Sequence, residues 1–265
     1  MKDLHSVFNE SPDKLLAKIK KLREEKGKEK EVLKLIDKAL GLGYEFILEL
    51  FWEQALVFQH RIMAEETKPK HDRNKVAIRR ALKKWEEVVG EVKFYIERYD
   101  LDRWKSRLYR FMGRINDYKG KYGNAIREYK KAIKYVNKDP QVRYEKLPRI
   151  LELDAFLSYS MMMSGEMKKG LELAKRTYEK FDKSKAGKSL KENDLPTWII
   201  WKTGIAIRTI EAMISNKKSA KEHQVYKWFQ EAERLVSKPV ISDKWGGKVN
   251  FSFRRDEIEA LRRKL

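Results

Sequence analysis

The sequence predicts an all-α fold: about five successive antiparallel helix pairs in one domain, residues 1–265, followed by a C-terminal capping helix. Three observations lead there. Apolar residues recur at spacings of three and four along nearly the whole chain, which collects them on one face of a 3.6-residue helix. Only 13 Gly and 6 Pro punctuate 265 residues, too few for the many turns of an all-β domain. Charged residues make up 38% beside 42% apolar. That is well above the usual quarter charged and suits an elongated helical body with much surface per residue.

The elements follow in order. The first pair covers about 12–42. Leu15, Leu16, Ile19 and Leu22 define its first helix, with Ser11 as N-cap and Pro12 at the first helical position. Gly27 breaks that helix. Val32, Leu33, Ile36, Ala39 and Leu40 define the second, ended by Gly41 and Gly43. The second pair, about 44–100, joins a helix from Tyr44 to Glu65 with one from Asn74 to Tyr99, through the polar connector Lys68-Pro69-Lys70-His71-Asp72. The third pair covers about 101–137, the fourth about 148–182 and the fifth about 195–237. The Lys-rich stretch Lys183–Asp194 reads as a mobile linker. In the tail, 238–265, Val249, Phe251 and Phe253 alternate as in an extended segment. A last helix from about Arg254 carries Ile258, Leu261 and Leu265 on one face and caps the fifth pair.

Residues 109–132 name the kind of pairing. Tyr109, Met112-Gly113, Asn116, Gly120, Tyr122, Ala125, Tyr129 and Ala132 fall at repeat spacing, and the segment resembles the tetratricopeptide repeat. Asn116 stands where an aromatic is usual, and Pro140 comes three residues late. Looser matches extend over most of residues 12–237. The resemblance implies a right-handed α-solenoid in which the first helix of each pair lines a concave groove. Gly113, Ala125 and Ala132 would let neighbouring helices approach closely.

A row of four arginines, Arg103, Arg107, Arg110 and Arg114, runs into the start of the matching segment. At 100° per residue they share an arc of roughly 60°. Four like charges on one face repel, so acidic groups must answer them from inside the fold or from a ligand. The internal answer is the row Glu45, Glu49 and Glu53 on the preceding first helix. The external answer follows from the resemblance, which turns Arg107, Arg110 and Arg114 toward the groove. Some family members clamp a peptide's C-terminal carboxylate with basic groove residues, and a guanidinium suits this because it can hold a carboxylate through two parallel hydrogen bonds. Phe111, Tyr118, Phe156 and Tyr159 would add apolar contact. Phe156 and Tyr159 with Met161, Met162 and Met163 read either as core or as an adaptable groove wall. Trp198 and Trp201 read as solenoid packing or as a stacking surface.

Net charge is +21, which favours acidic partners. The excess is local: residues 101–147 hold 14 basic and 5 acidic residues, and residues 195–265 hold 15 and 8. The first expectation is therefore a non-catalytic interaction scaffold for an acidic peptide or a chain's C-terminal carboxylate. The alternative is nucleic-acid binding through basic faces such as Arg127, Lys130, Lys131 and Lys134, which otherwise read as a solvated outer surface. Cysteine is absent, so thiolate chemistry is excluded. His5, His60, His71 and His223 lack metal-ligand spacing. Gly187-Lys188-Ser189 lacks the earlier glycine and the strand of a phosphate loop. The adjacent carboxylates Glu65-Glu66 and Glu86-Glu87 read as solvated. No nucleophile, base and orienting group stand together, so no catalytic residue, metal or cofactor is expected. The run Phe46–Phe58 is too short and too charged to span a bilayer. With no apolar leader at the N-terminus, a cytoplasmic protein is expected.

Overall fold

The computed structural model describes residues 29–143, 146–218 and 224–265. Those residues form eleven α-helices and one short β-hairpin. The first expected helix, from Ser11 to Gly27, lies outside the described residues.

Helix α1 runs unbroken from Glu29 to Glu66. The sequence reading ends a helix at Gly41 and Gly43, but α1 continues through both. Two glycines cost a helix interior about 1–2 kcal/mol together. That is less than the second half of α1 gains by burying Leu48, Trp52, Ala55 and Ile62. These pack with Ala81, Trp85, Val88, Val92 and Ile96 of α2 (Lys75–Arg98). The Asn74 side chain caps α2 by accepting from the Ala77 N–H at 2.9 Å, satisfying a donor the helix leaves open.

A single 3₁₀ turn, Asp102–Trp104, leads into α3 (Lys105–Tyr118), and α4 (Tyr122–Tyr135) follows. These two helices pack along their length. They come close at Gly113, where a Cβ would meet Tyr129 Cε1 at 2.5 Å. Tyr129 is fully buried, and its hydroxyl donates to Asp117 at 2.6 Å, so it has little room to yield. Gly113→Ala is expected to lose about 1 kcal/mol or more by overpacking, read as a lowered urea midpoint at unchanged m-value. An unchanged midpoint would show that the ring can move aside.

After the short α5 (Pro140–Arg143) come α6 (Arg149–Met163) and α7 (Met167–Lys183). The stretch expected to be a mobile linker is instead helix α8 (Lys185–Asn193). The Ser184 side chain caps it through the Gly187 N–H at 3.0 Å, and Leu190 is buried in the core. One apolar anchor and one cap order nine residues whose composition is otherwise that of a loop. Helix α9 (Leu195–Ser215) begins at Asp194, whose carboxylate accepts from the Thr197 N–H at 3.2 Å, and α10 (Gln224–Val236) packs against it.

The tail forms the antiparallel hairpin β1 (Val240–Ser242) and β2 (Gly247–Val249), with Val240 opposite Val249. Helix α11 (Ser252–Arg262) starts earlier than expected and takes Phe253 out of the extended alternation. Its Ile258 and Leu261 are buried against α9 and α10. It also reaches α1: Arg263 donates to the Thr67 carbonyl at 2.8 Å, and Phe253 stacks on His60 with ring centres 4.6 Å apart. Helix packs on helix, α1 on α2, α3 on α4, α6 on α7 and α9 on α10, which is consistent with a helical repeat. No described helix is long and apolar enough to cross a membrane.

Candidate functional site

Helices α1, α3, α6 and α9, with the segment from Lys244 to Lys264, line a cavity of about 1340 Å³. Arg107, Arg110 and Arg114 line it, together with Tyr118, Phe156 and Tyr159. Phe111 does not: it is buried in the core, stacked on Trp52 at 5.0 Å and edge-on to Trp85 at 6.0 Å. Met163 lines the cavity and Met162 is buried. Trp201 lines the cavity, and Trp198 is core, donating its ring N–H to the Phe181 carbonyl at 3.1 Å.

The arginine row is largely answered from within. Glu45 holds Arg103 and accepts from the Trp104 ring N–H at 2.9 Å. Glu49 accepts from Arg107 Nη1 with both carboxylate oxygens at 2.9 Å, and buried Asp139 lies 3.4 Å from Arg107 Nε. Arg110 turns the other way, to Glu152 of α6 at 2.9 Å, and Glu152 also accepts from Arg149 at 2.6 Å. Arg114 donates to Asp117 at 3.3 Å and to the Tyr118 hydroxyl at 3.2 Å. Glu53 is exposed and pairs with none of the four. Arg107 Nη2, Arg110 Nε and Arg114 Nε stay buried without a partner.

Burial sets the protonation behaviour of this network. It pushes Arg110 down to about 10, with the Glu152 charge opposing and the Arg149 and Arg107 charges assisting. Burial pushes Asp117 up, opposed by Arg114 and by hydrogen bonds from Ser160 and Tyr129. Glu152 stays below the ordinary carboxylate range although burial opposes it, because Arg110 and Arg149 stand beside it.

Arg208 of α9 is a buried cation with no ion pair among the described residues. It is only 9% exposed and lines the cavity, with one guanidinium face 4.4 Å above the Phe156 ring centre. Its Nε is buried without an acceptor, and no carboxylate among the described residues pairs with it. Burial lowers it to about 10, helped by the positive charges of Arg114 and Arg254 and opposed by the Glu257 charge. Gly204, one turn earlier on α9, makes room: a Cβ there would lie 2.9 Å from Arg208 Nη2 and 3.1 Å from Arg254 Nη2. The two guanidiniums therefore converge over a bare stretch of helix.

Three carboxylates stand on the same wall: Glu66 at the end of α1, Glu211 on α9 and Glu257 on α11. Glu257 pairs with Arg254. Glu66 has surface open to the cavity, yet protein encloses it. Its carboxyl is pushed up to about 7 by that enclosure and then by the Glu211 charge. A carboxyl raised in the folded state favours folding most below its ordinary 4.5, and that contribution fades as pH climbs through about 7. Urea unfolding at pH 5 and pH 8 should show the wild type losing more stability across that interval than Glu66→Gln. Equal losses would place Glu66 in ordinary solvent.

Arg208, Glu152 and Asp139 were not singled out from the sequence. Glu152 is 42 residues from Arg110, and no local spacing joins them. Arg208 did leave a signal, as the only charged residue between Lys202 and Glu211 in a strongly apolar helix.

Comparison with protein-family models, with curated proteins and with solved structures gave no match. The resemblance to tetratricopeptide repeats rests on the sequence of residues 109–132 alone.

Proposed function

We propose that this chain is a non-catalytic interaction scaffold, a right-handed solenoid of tetratricopeptide type acting in the cytoplasm, whose inner-face cavity takes a peptide segment of a partner protein. One observation carries the reading. The cavity is lined by α1, α3, α6 and α9, the helices that would line the groove under the repeat resemblance, and it gathers exposed apolar groups beside an unpaired cation. Val57, Trp245 and Phe253 are 40–49% exposed and all line it. Exposed apolar surface rimmed by charge marks a binding site more often than chance. About 1340 Å³ exceeds what a drug-sized ligand fills and accommodates several residues of extended chain.

The test is a binding series on a partner recovered from nuclease-treated extract and then purified. Val57→Glu and Phe253→Glu put charge on exposed cavity positions without touching the core. Each should weaken the partner at least tenfold with helicity unchanged; wild-type affinity in both variants would sink the groove reading.

One observation favours nucleic acid as a second reading. Lys130 and Lys134 on the outer face of α4 are exposed and have no carboxylate partner among the described residues. Binding to random RNA at low salt, lost steeply as salt rises, would support it. Absence of binding at low ionic strength would remove it.

A further inference from the structure

Resting on the groove reading above, we infer that the seam between α11 and α1 is the gate of the cavity: it parts to admit a ligand while α11 stays seated on α9 and α10. An open solenoid groove has no need to join helices at opposite ends of the chain. Here α11 and α1 meet across 196 residues of sequence, and a circuit of contacts runs right round the cavity.

The links of that circuit are unequal. Glu49 of α1 holds Arg107 of α3 at 2.9 Å, and Arg110 of α3 reaches Glu152 of α6 at 2.9 Å. Phe156 of α6 lies under Arg208 of α9 at 4.4 Å. Ile258 and Leu261 fasten α11 to α9 and α10, and Phe251, just before α11, is buried in the same core. Each of these links has a buried side chain in it. The return link from α11 to α1 is shallow. There Arg263 donates to the Thr67 carbonyl at 2.8 Å and Phe253 stacks on His60, and Arg263, Phe253 and His60 are all exposed. Water replaces contacts of this kind at little cost, so the circuit opens first at the seam, as packed helices part in a hinge or shear motion.

Charge makes the seam responsive. Glu66, the last residue of α1, stands in the field of Glu211 on α9 and Glu257 on α11, with Arg114 of α3 and Arg73 of the α1–α2 connector opposing them. Lys264 of α11, Arg114 and Arg208 favour the ionised form of Glu211. Tyr118 and Tyr122 feel the same acids and, raised chiefly by burial, stay neutral. Burial and the Arg254 charge push His60 below its ordinary 6.5, against the Glu257 charge, so His60 is largely neutral where Glu66 titrates. With the seam closed, the Glu66 carboxyl is pushed up to about 7. Opening returns it to water and to its ordinary range, so protonated Glu66 favours the closed seam. As pH rises through about 7, ionised Glu66 repels Glu211 and Glu257 and the gate loosens.

The chain has no cysteine, so thiol reagents go only where a cysteine is placed. Ala64 lies between His60 and Thr67 in sequence, and Asp256 between Phe253 and Arg263; both are exposed. The full chain carrying Ala64→Cys and Asp256→Cys is labelled with nitroxides, whose dipolar broadening reports the seam. Broadening is expected at pH 6 and should fall at pH 8.5, and Glu66→Gln should hold it at both. Joining the same two cysteines with a short bis-maleimide locks the gate. Stopped-flow association of a dye-tagged pool of random dodecapeptides should then slow about tenfold or more. Arg263→Ala should speed it about twofold or more with helicity unchanged. Equal association rates for locked and unlocked chains overturn the gate. Broadening that is the same at both pH values, or a loss at pH 8.5 that survives Glu66→Gln, overturns the control by Glu66. If the rates are equal and Val57→Glu abolishes binding, the gate fails while the groove reading stands. If no peptide binds but broadening falls with pH and Glu66→Gln prevents the fall, the groove reading fails while the gate stands. If no peptide binds and broadening is constant, both fall together.

Discussion

Glu152→Gln is expected to lower the stability of the fold by about 3–5 kcal/mol, the usual cost of breaking a buried ion pair from one side. Glu152 is 6% exposed and accepts from Arg110 at 2.9 Å and from Arg149 at 2.6 Å. Glutamine keeps the shape and one acceptor but removes the charge. Arg110, already pushed down by burial, would then face the positive charges of Arg149 and Arg107 with only Asp139 opposing, and Asp139 is engaged by Arg107. The pH dependence gives a second reading of the same contact. A carboxyl held low in the folded state contributes stability that is full above its ordinary 4.5 and is lost as pH falls below it. Urea unfolding at pH 7 and pH 4 should therefore show the wild type losing stability over that range and Glu152→Gln losing less. A change under about 1 kcal/mol at pH 7 would mean that the arginine row does not depend on its internal acids.

Lys202→Met is the second large effect, expected at about 2–3 kcal/mol. Lys202 is 1% exposed. Its ammonium bonds Asp182 of α7 at 2.8 and 3.0 Å and Glu231 of α10 at 2.7 Å, and lies 4.8 Å from the ring centres of Tyr178 and Trp198. One point charge thus joins α9 to the helices on both of its flanks. Methionine fills the volume but strands Glu231, which Lys202 and Tyr178 keep below the ordinary carboxylate range despite burial. Asp182 is 47% exposed and can turn to water, which keeps the expected loss below that at Glu152. Because α9 also carries Arg208, the variant should loosen the cavity wall as well, visible as faster amide exchange along α9. An unchanged denaturant midpoint would assign that role to the surrounding rings alone.

Helix existence was legible wherever apolar spacing ran long. Trp85, Val88, Val92 and Ile96 mark α2 without reference to any neighbour, and Asn74 marks its start. Boundaries were less legible, because they depend on what a segment packs against. Gly41 and Gly43 look like a stop, but α1 is held by contacts its own sequence does not contain. Lys183–Asp194 looks like a linker because eleven of its twelve residues are polar or small; Leu190 alone commits it to a helix. The candidate site divides the same way. Spacing placed Arg107, Arg110 and Arg114 on one face, and the repeat resemblance gave that face a direction. It gave no account of Arg208, whose importance lies in the absence of a partner.

By itself, the sequence determined the helical class, the face of α3 on which Arg107, Arg110 and Arg114 stand and the need for something acidic to meet them, since each follows from periodicity and like-charge repulsion within a few turns; Arg103 falls instead in the 3₁₀ turn before α3. Only the tertiary structure decided which acids meet them. Glu45 and Glu49 come from α1, Asp139 from before α5 and Glu152 from α6, brought together over separations of 32 to 58 residues. That assignment left Arg208 buried with no ion pair among the described residues. The reason is physical: periodicity is a local property of a helix, whereas the neutralisation of a buried charge depends on every helix packed around it.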